Sequence, residues 1–427
     1  MEKNLLVFIC LIFSFALADR FALIVAPRTP YADYGVPSES CRLYNDLIKG
    51  GVNPDNIILM SSKVIANSHE NPYPGQLFTD DSPDSPGIDY AKNCLEHIDY
   101  DETHFRGAFL LNLMTGDAEG VRKLTGIKNP KVLNSGPDDE VLFYLTSHGM
   151  EEEIIVGDTR IVKDDFIWAL HSMYDNEMYK HLLIFLETCF SGSMFKGLPT
   201  NENVYVITAA DAKHESYESH CPPDDIVDGK AIGACLSCLW DNAMEWFIEG
   251  DSSHTLDEIF DHTHEVVSKE SKQNVSKFGS EELGSMKIEE FTGTLNNYHK
   301  NSFSSSSSSI PHSQVDSYLA KWRVIRAENE KKEEELNNYK DIVYNDMKKE
   351  ISVLRLGHLF LSEQELALSL TTTSEEYNIS CVNELANQLV QHCKLSYPFS
   401  IRLLNVLRSI CKPSFIMKSI NYEDICM

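Results

Sequence analysis

The stretches VLFYLTSHG (141–149) and LLIFLETCFSGS (182–193) decide the fold. Each begins as a short apolar run and ends in polar and glycine residues, a pattern typical of buried parallel strands. In a parallel sheet, reacting groups lie beyond the carboxyl ends of the strands. We therefore expect an α/β fold in which His148 and Cys189 lie at one sheet edge, on neighbouring strand ends.

A thiol beside an imidazole is an arrangement that suits nucleophilic catalysis. The thiolate is the attacking species, and His148 would accept the Cys189 proton and later deliver it to a leaving amine. Gly149 permits close approach of a substrate, and the N–H groups of Gly149 and Cys189 would hold a developing oxyanion. Either side chain alone fits a buried thiol or a surface histidine. Together, with the glycines that follow them, they favour catalysis.

Composition narrows the class of protein. The chain has 427 residues and a net charge of −28, which argues against nucleic acid and anionic membranes as partners and suits an acidic compartment. Residues 1–18 read as a secretory signal, with Lys3, an apolar run over 5–15 and a small-residue end. That run is too short for a membrane anchor, and no later run is long enough. We expect a soluble protein of the endomembrane lumen.

The remaining chain reads as alternating elements. We predict strands at 21–26, 56–60 and 203–210, a hairpin at 153–162, and helices at 39–49, 163–173, 231–248 and 253–272. The serine run at 304–309 indicates a flexible linker, and 318–356 has helical spacing. Four cysteines near the C-terminus indicate a small disulfide framework with three alternative pairings. Asn274 and Asn378 begin glycan acceptor sequences.

The motifs resemble the legumains, the asparaginyl endopeptidases or vacuolar processing enzymes among the caspase-like cysteine peptidases. His148-Gly149, the run from Glu187 to Met194, and the turn at 71–75 carry the likeness. The resemblance implies a caspase-like, mostly parallel sheet flanked by helices, followed by an all-α C-terminal prodomain. We expect a signal peptide at 1–18, a peptidase domain at 19–295, a linker at 296–316 and the prodomain at 317–427.

The resemblance also implies roles for single residues. Cys189 and His148 match the catalytic dyad, and Asp33 stands where legumains place an asparagine that faces the histidine. Asp33 reads equally well as a turn residue in its loop. The implied substrate-binding residues are Glu187, Ser216 and Tyr217. The implied disulfide pairs are Cys381–Cys411 and Cys393–Cys426.

The specificity pocket departs from the family pattern. Gly35-Val36 stands where legumains have Arg-His, and Cys238-Leu239 stands before Trp240 where they have an acid. Arg28 or Arg42 are the candidate replacements for the missing guanidinium. Cleavage after asparagine is the family expectation, but we hypothesise that Glu187 without its arginine favours a basic or a neutral hydrogen-bonding side chain.

The expected function is a lysosomal or vacuolar cysteine endopeptidase, made as an acid-activated zymogen. Its partners would be peptide substrates and its own prodomain as an internal inhibitor. Linker cleavage would follow an asparagine, with candidates at 296, 297, 301 and 329. No cofactor is expected, and no metal either, because His254, His262 and His264 lack a tetrahedral ligand set. The alternatives are a catalytically impaired binding or regulatory protein and a lipid-anchor transamidase.

Overall fold

The computed structural model describes residues 18–79, 88–295, 308–372, 376–395, 399–413 and 420–426. The predicted signal segment, apart from Ala18, lies outside these ranges. So do 296–307 of the predicted linker, with three of the four candidate cleavage asparagines. Within the described ranges, no helix is long and apolar enough to cross a membrane.

The centre of the fold is a six-stranded sheet within the described residues. Its strands are β1 (Arg20–Ala26), β2 (Ile57–Ser61), β3 (Glu140–Thr146), β7 (His181–Glu187), β8 (Val204–Thr208) and β13 (Ser276–Gly279). Their order is β13-β8-β7-β3-β1-β2, and only β13 runs antiparallel to its neighbour. The predicted class, a mostly parallel sheet, is confirmed.

Helices cover both faces of the sheet. They are α1 (Gly35–Lys49), α2 (Gly107–Met114), α3 (Ala118–Thr125), α4 (Lys163–Asp175), α5 (Leu239–Gly250), α6 (Leu256–Glu270) and α7 (Glu289–Thr292). Successive strand residues point to opposite faces. Leu142 and Tyr144 therefore join the core under α1, α5 and α6, whereas Val141 and Phe143 join the core under α2 and α4. Burial on both faces explains the nearly continuous apolar runs in the sequence.

Short strands frame the carboxyl edge of the sheet. They are β4 (Gly149–Met150), β5 (Glu153–Val156), β6 (Thr159–Val162), β9 (Tyr217–Ser219), β10 (Ile226–Val227), β11 (Lys230–Ala231), β12 (Ser237–Cys238) and β14 (Ile310–Pro311). β5 and β6 form the predicted hairpin. β9 lies between β12 and β14, so residues from three distant parts of the chain meet at this edge.

The C-terminal region is helical, as predicted. It contains α8 (Val315–Arg326), α9 (Lys332–Phe360), α10 (Glu363–Ser369), α11 (Ile379–Cys393) and α12 (Ile401–Ile410). Two disulfides, Cys381–Cys411 and Cys393–Cys426, join α11 to α12 and to the chain end. This is the pairing that the resemblance implies. We call the helices α8–α12 the tail.

Some predicted boundaries were wrong. The helix predicted from 231 begins at Leu239, because Gly233 has a positive φ of 84° and Cys235 is bonded to Cys221. β12 then pairs with β9 before the helix starts. The single helical stretch predicted at 318–356 is two helices, separated at 327–331. α1 begins at Gly35, four residues before the predicted start.

Candidate active site

His148 and Cys189 lie just beyond the ends of two paired strands. β3 and β7 run parallel, and their last paired residues are Thr146 and Glu187. One residue further on, the N–H of Ser147 donates to the Glu187 carbonyl at 2.9 Å. His148 and Cys189 each follow their last paired residue by two positions. The sheet therefore presents both at one edge, and it does so because the two strands end in register.

Asp33 contacts His148 across the cleft at this edge. Its Oδ1 lies 3.1 Å from His148 Nε2, and Arg28 Nε donates to its Oδ2 at 2.8 Å. Burial would raise the pKa of Asp33, but the charges and hydrogen bonds of Arg28 and His148 outweigh burial and hold it well below the usual range. The carboxylate stays ionised, so it can fix the ring of His148 and leave Nδ1 facing the cleft.

Cys189 is buried in this structure. Its Sγ accepts from the N–H of Ser216 at 3.4 Å and lies 3.7 Å from the Ser216 hydroxyl. Burial raises the pKa of the thiol, and the charge of Glu215 raises it further. Burial therefore disfavours the thiolate, which is the nucleophilic form, in the covered chain.

Gly149 has a steric reason to be glycine. A Cβ at this position would lie 2.6 Å from the carbonyl oxygen of Cys189 and 2.7 Å from Thr188 Oγ1. The absence of a side chain lets β4 pack directly on the Cys189 backbone. The two amides that the sequence assigns to an oxyanion site therefore belong to adjoining segments.

Acidic side chains line the pocket beside Cys189. Glu187 and Ser216, both predicted pocket residues, adjoin Glu218 and Cys238. Burial raises the pKa of Glu187 and of Glu218 well above the usual range, and neighbouring carboxyl groups add to the shift. The side chains of Glu187, Glu218 and Cys238 are almost fully buried. Tyr217 contributes its backbone, which pairs with Pro311.

Neither candidate arginine enters this pocket. Arg28 is held by Asp33, as described above. Arg42 lies in the core, where its Nη2 donates to Glu249 at 2.8 Å and its Nε lies 3.2 Å from Glu245. The guanidinium that the family pattern places in the pocket therefore has no counterpart from either of these residues.

Among the residues that the structure describes, one group of side chains has ligand atoms close enough for a metal ion. Glu187, Cys238 and His312 each bring one ligand atom within 4.8 Å of the others. A carboxylate, a thiolate and an imidazole together suit zinc. No local sequence pattern indicates this group, because its members are distant along the chain. The three histidines near residue 260 instead pack on aromatic rings: His254 and His262 stack on Phe247, and His264 lies tilted against Phe260.

Residues that follow the peptidase domain in the chain cover the cleft. Residues 308–314, which we call the cover segment, pass across it, and His312 Nδ1 lies 3.3 Å from His148 Nδ1. Cys189 and Phe190 pack in one apolar cluster with tail residues such as Leu385 and Leu407. Arg408 of α12 reaches Glu151 beside the cleft, with Nη2 2.9 Å and Nε 3.1 Å from its Oε2.

Sequence reasoning missed Glu218, Cys238, His312 and the Arg408–Glu151 pair. Cys238 was noted as a departure from the family pattern, which was a signal that the pocket had changed. His312 was assigned to the linker. Its position in the cleft follows from the pairing of β14 with β9, which no local pattern indicates.

The predicted glycan acceptors differ in their surroundings. Asn378 is exposed at the start of α11, where its side chain caps the helix by accepting from the N–H of Cys381. Asn274 is half-buried, and its Nδ2 donates to Asp211 Oδ2 at 2.8 Å. Asn378 is thus the more accessible of the two acceptor positions.

Comparison with known proteins finds a family model and individual relatives that match this chain. The model of the "Peptidase C13 family" matches residues 20–294. The vacuolar-processing enzyme delta-isozyme of Arabidopsis thaliana is 27% identical over 419 residues, which cover 93% of this chain and 87% of the relative. Legumain of Mus musculus is 26% identical over 427 residues, covering 96% and 92%. Caspase-1 from Spodoptera frugiperda aligns with a TM-score of 0.35 and 9% identity over 66% of this chain and 92% of that one. The chain belongs to the peptidase C13 family, and it is a legumain-type cysteine endopeptidase.

Proposed function

We propose that this endopeptidase uses Cys189 as nucleophile and His148 as general base and acid, and that it is made as a zymogen. The observation that carries the proposal is the joint placement of the two residues: they end adjacent strands, yet both lie beneath the cover segment and the tail. A thiol and an imidazole on neighbouring strand ends, both occluded by the chain itself, support the proposal of a latent enzyme.

The reaction is acyl transfer. Cys189 Sγ attacks the carbonyl carbon of the scissile bond while His148 Nδ1 takes the thiol proton. The C–N bond then breaks, His148 returns the proton to the leaving amine, and an acyl thioester remains on Cys189. Water attacks the thioester with His148 again as base, and the product carboxylate leaves as the thiol reforms.

Asp33 would serve as the residue that orients His148. A carboxylate bonded to Nε2 fixes the ring and stabilises the imidazolium that forms when Nδ1 takes the proton. The N–H groups of Gly149 and Cys189 would receive the oxyanion. Asp33, Gly149 and Cys189 would thus take the roles that their positions in the sequence imply.

Latency would follow from the burial of the thiol. Burial raises the pKa of Cys189, so the covered enzyme holds a neutral thiol. Removal of the tail would return water to the site, lower this pKa and expose His148 to substrate. The charged contact between Arg408 and Glu151 is one of the contacts that hold the tail against the cleft.

The setting we propose is the lumen of a lysosome or vacuole, or the secreted space. Four disulfides among the described residues support an oxidising route. The charge of −28 would be relieved by protonation in an acidic compartment. The name of the plant relative, a vacuolar-processing enzyme, points in the same direction.

The zymogen proposal is tested by following the mass of the chain and its peptidase activity in one experiment. The chain from residue 19 is shifted from neutral pH to the carboxylate range, and its mass is followed beside cleavage of peptides that differ at P1. Cys189→Ala is the matched control. Loss of the tail with cleavage that requires Cys189 supports the proposal. A chain that keeps its tail and cuts no peptide, even after an added protease trims it, favours the catalytically impaired binding protein instead.

A further inference from the structure

The first part of the cover segment is an extended strand, β14, and His312–Gln314 then form a turn of 3-10 helix that leads into α8. β14 pairs antiparallel with β9, with Ile310 opposite Glu218 and Pro311 opposite Tyr217. The next residue continues the pattern, because the N–H of His312 donates to the carbonyl of Ser216 at 3.2 Å. Main-chain pairing of this kind holds a peptide in place, while its side chains select pockets.

The side chain of His312 fills the acidic pocket. It is 3% exposed, and its Nε2 lies 3.3 Å from Glu218 Oε1. Glu187 and Cys238 also bring ligand atoms within 4.8 Å of the ring. On its other side the ring meets His148 edge to face, with centroids 5.2 Å apart. The His312 ring therefore lies between the acidic side chains of the pocket and the proposed general base, where a P1 side chain would be.

The pocket matches an imidazole in reach and in chemistry. The contact with Glu218 is made by an atom at the ε position, whereas an asparagine side chain ends at δ and would leave the carboxyl group without that partner. The Glu218 carboxyl group faces His312 Nε2 at 3.3 Å, within ion-pair distance, and both side chains are buried. An unmatched buried polar group would be costly, so a shorter side chain is disfavoured.

We propose that the pocket formed by Glu187, Glu218 and Cys238 selects histidine at P1, and that the chain processes itself at the His312–Ser313 bond. The inference rests on the peptidase function proposed above. In the self-cleavage, Cys189 Sγ bonds to the carbonyl carbon of His312 and the bond to the Ser313 nitrogen breaks. His148 passes the thiol proton to that nitrogen, and water then releases the new carboxyl terminus.

Peptides of the cover segment test the selectivity. The acid-treated full chain is given the sequence 309–315 with His, Asn, Gln, Arg or Ala at the position of His312, in the presence of EDTA so that metal binding does not contribute. We expect kcat/KM for His to exceed that for Asn by about tenfold or more, a difference of one buried polar contact. Mass analysis of the treated chain should show a fragment that begins at Ser313.

Two variants test whether Glu218 and His312 are responsible for the P1 selectivity and the self-cleavage. Glu218→Gln should remove most of the advantage of His over Ala. The control is Glu202→Gln, because Glu202 is also buried and bonded to a histidine, His171 Nδ1, at 2.7 Å, but belongs to another part of the fold. His312→Ala leaves the pocket intact and should slow the appearance of the Ser313 fragment by about tenfold or more.

The outcomes separate the two proposals. Cleavage that needs Cys189 but prefers Asn, or shows no P1 preference, overturns the histidine pocket and leaves the peptidase standing. Selectivity for His that survives Glu218→Gln also overturns it. Absence of any Cys189-dependent cleavage overturns both.

Discussion

Replacing Glu151 by glutamine should release the tail from the cleft. Arg408 is fully buried, with no exposed side-chain surface, while the Glu151 side chain is 14% exposed. Arg408 Nη1 also donates to Asn405 Oδ1 at 2.8 Å, but that partner is neutral, and Glu151 supplies the counter-charge. Glu151→Gln removes the counter-charge and leaves a buried cation behind.

The expected size of the effect follows from this burial. Removing one partner of a buried ion pair costs about 3 kcal/mol or more. That is roughly a hundredfold change in the equilibrium between the covered and the open chain. Arg408→Met should cost less, about 1 kcal/mol, since Glu151 lies nearer to solvent and keeps the contact with Tyr377. The double variant should destabilise the covered state by about as much as Arg408→Met does, because no unpaired buried cation remains.

The assay is the rate at which a thiol reagent labels Cys189 at neutral pH. Cys189 is buried, so labelling reports the open fraction, and peptide mapping separates it from Cys238. Arg402→Met is the matched control on the same helix, since its bridge to Glu350 is exposed and should contribute less than about 0.5 kcal/mol. Labelling of Glu151→Gln no faster than the control, or slower than Arg408→Met, would refute the reasoning.

Three further predictions concern the site and its support. Asp33→Ala should lower kcat by on the order of 100-fold, while Asp33→Asn, which keeps an acceptor, loses far less. Because the pKa of Asp33 is depressed, its contribution to stability is present above its unfolded pKa and is lost only as the pH falls through the lower folded value. The stability difference between the parent and Asp33→Ala should therefore persist at pH 4–5, measured by urea unfolding. Burial raises the pKa of Glu153 to about 7, so between pH 4.5 and 7 the folded protein keeps a proton on Glu153 that the unfolded chain has lost. The free energy of unfolding therefore falls as the pH rises through this range. Glu153→Gln should raise the free energy of unfolding by about 2 kcal/mol at pH 7.5 and change it little at pH 4, measured by urea unfolding. Gly149→Ala should lower kcat/KM by at least about 100-fold, because its Cβ would displace the Cys189 carbonyl, whereas Gly250→Ala, with open space around it, should leave kcat/KM unchanged.

Local sequence determined the parts of the fold that depend on neighbouring residues. The apolar runs before Ser147 and Glu187 require strands that are buried on both faces, and the polar residues after them must then lie at one edge. The same reasoning explains why the helix after residue 231 was placed wrongly. Its apolar spacing was compatible with a helix, but the disulfide from Cys221 to Cys235 fixes that stretch in another path.

The contents of the pocket depended on contacts between distant residues. Glu218, Cys238 and His312 meet because β9 pairs with β12 on one side and β14 on the other. Such pairings bring together residues up to about a hundred positions apart, and no periodicity within one segment encodes them. The sequence by itself therefore determined which sheet edge carries the thiol and the imidazole. Only the tertiary structure decided that a histidine of the chain itself lies among the acids, since that follows from strand pairing and burial rather than from local propensity.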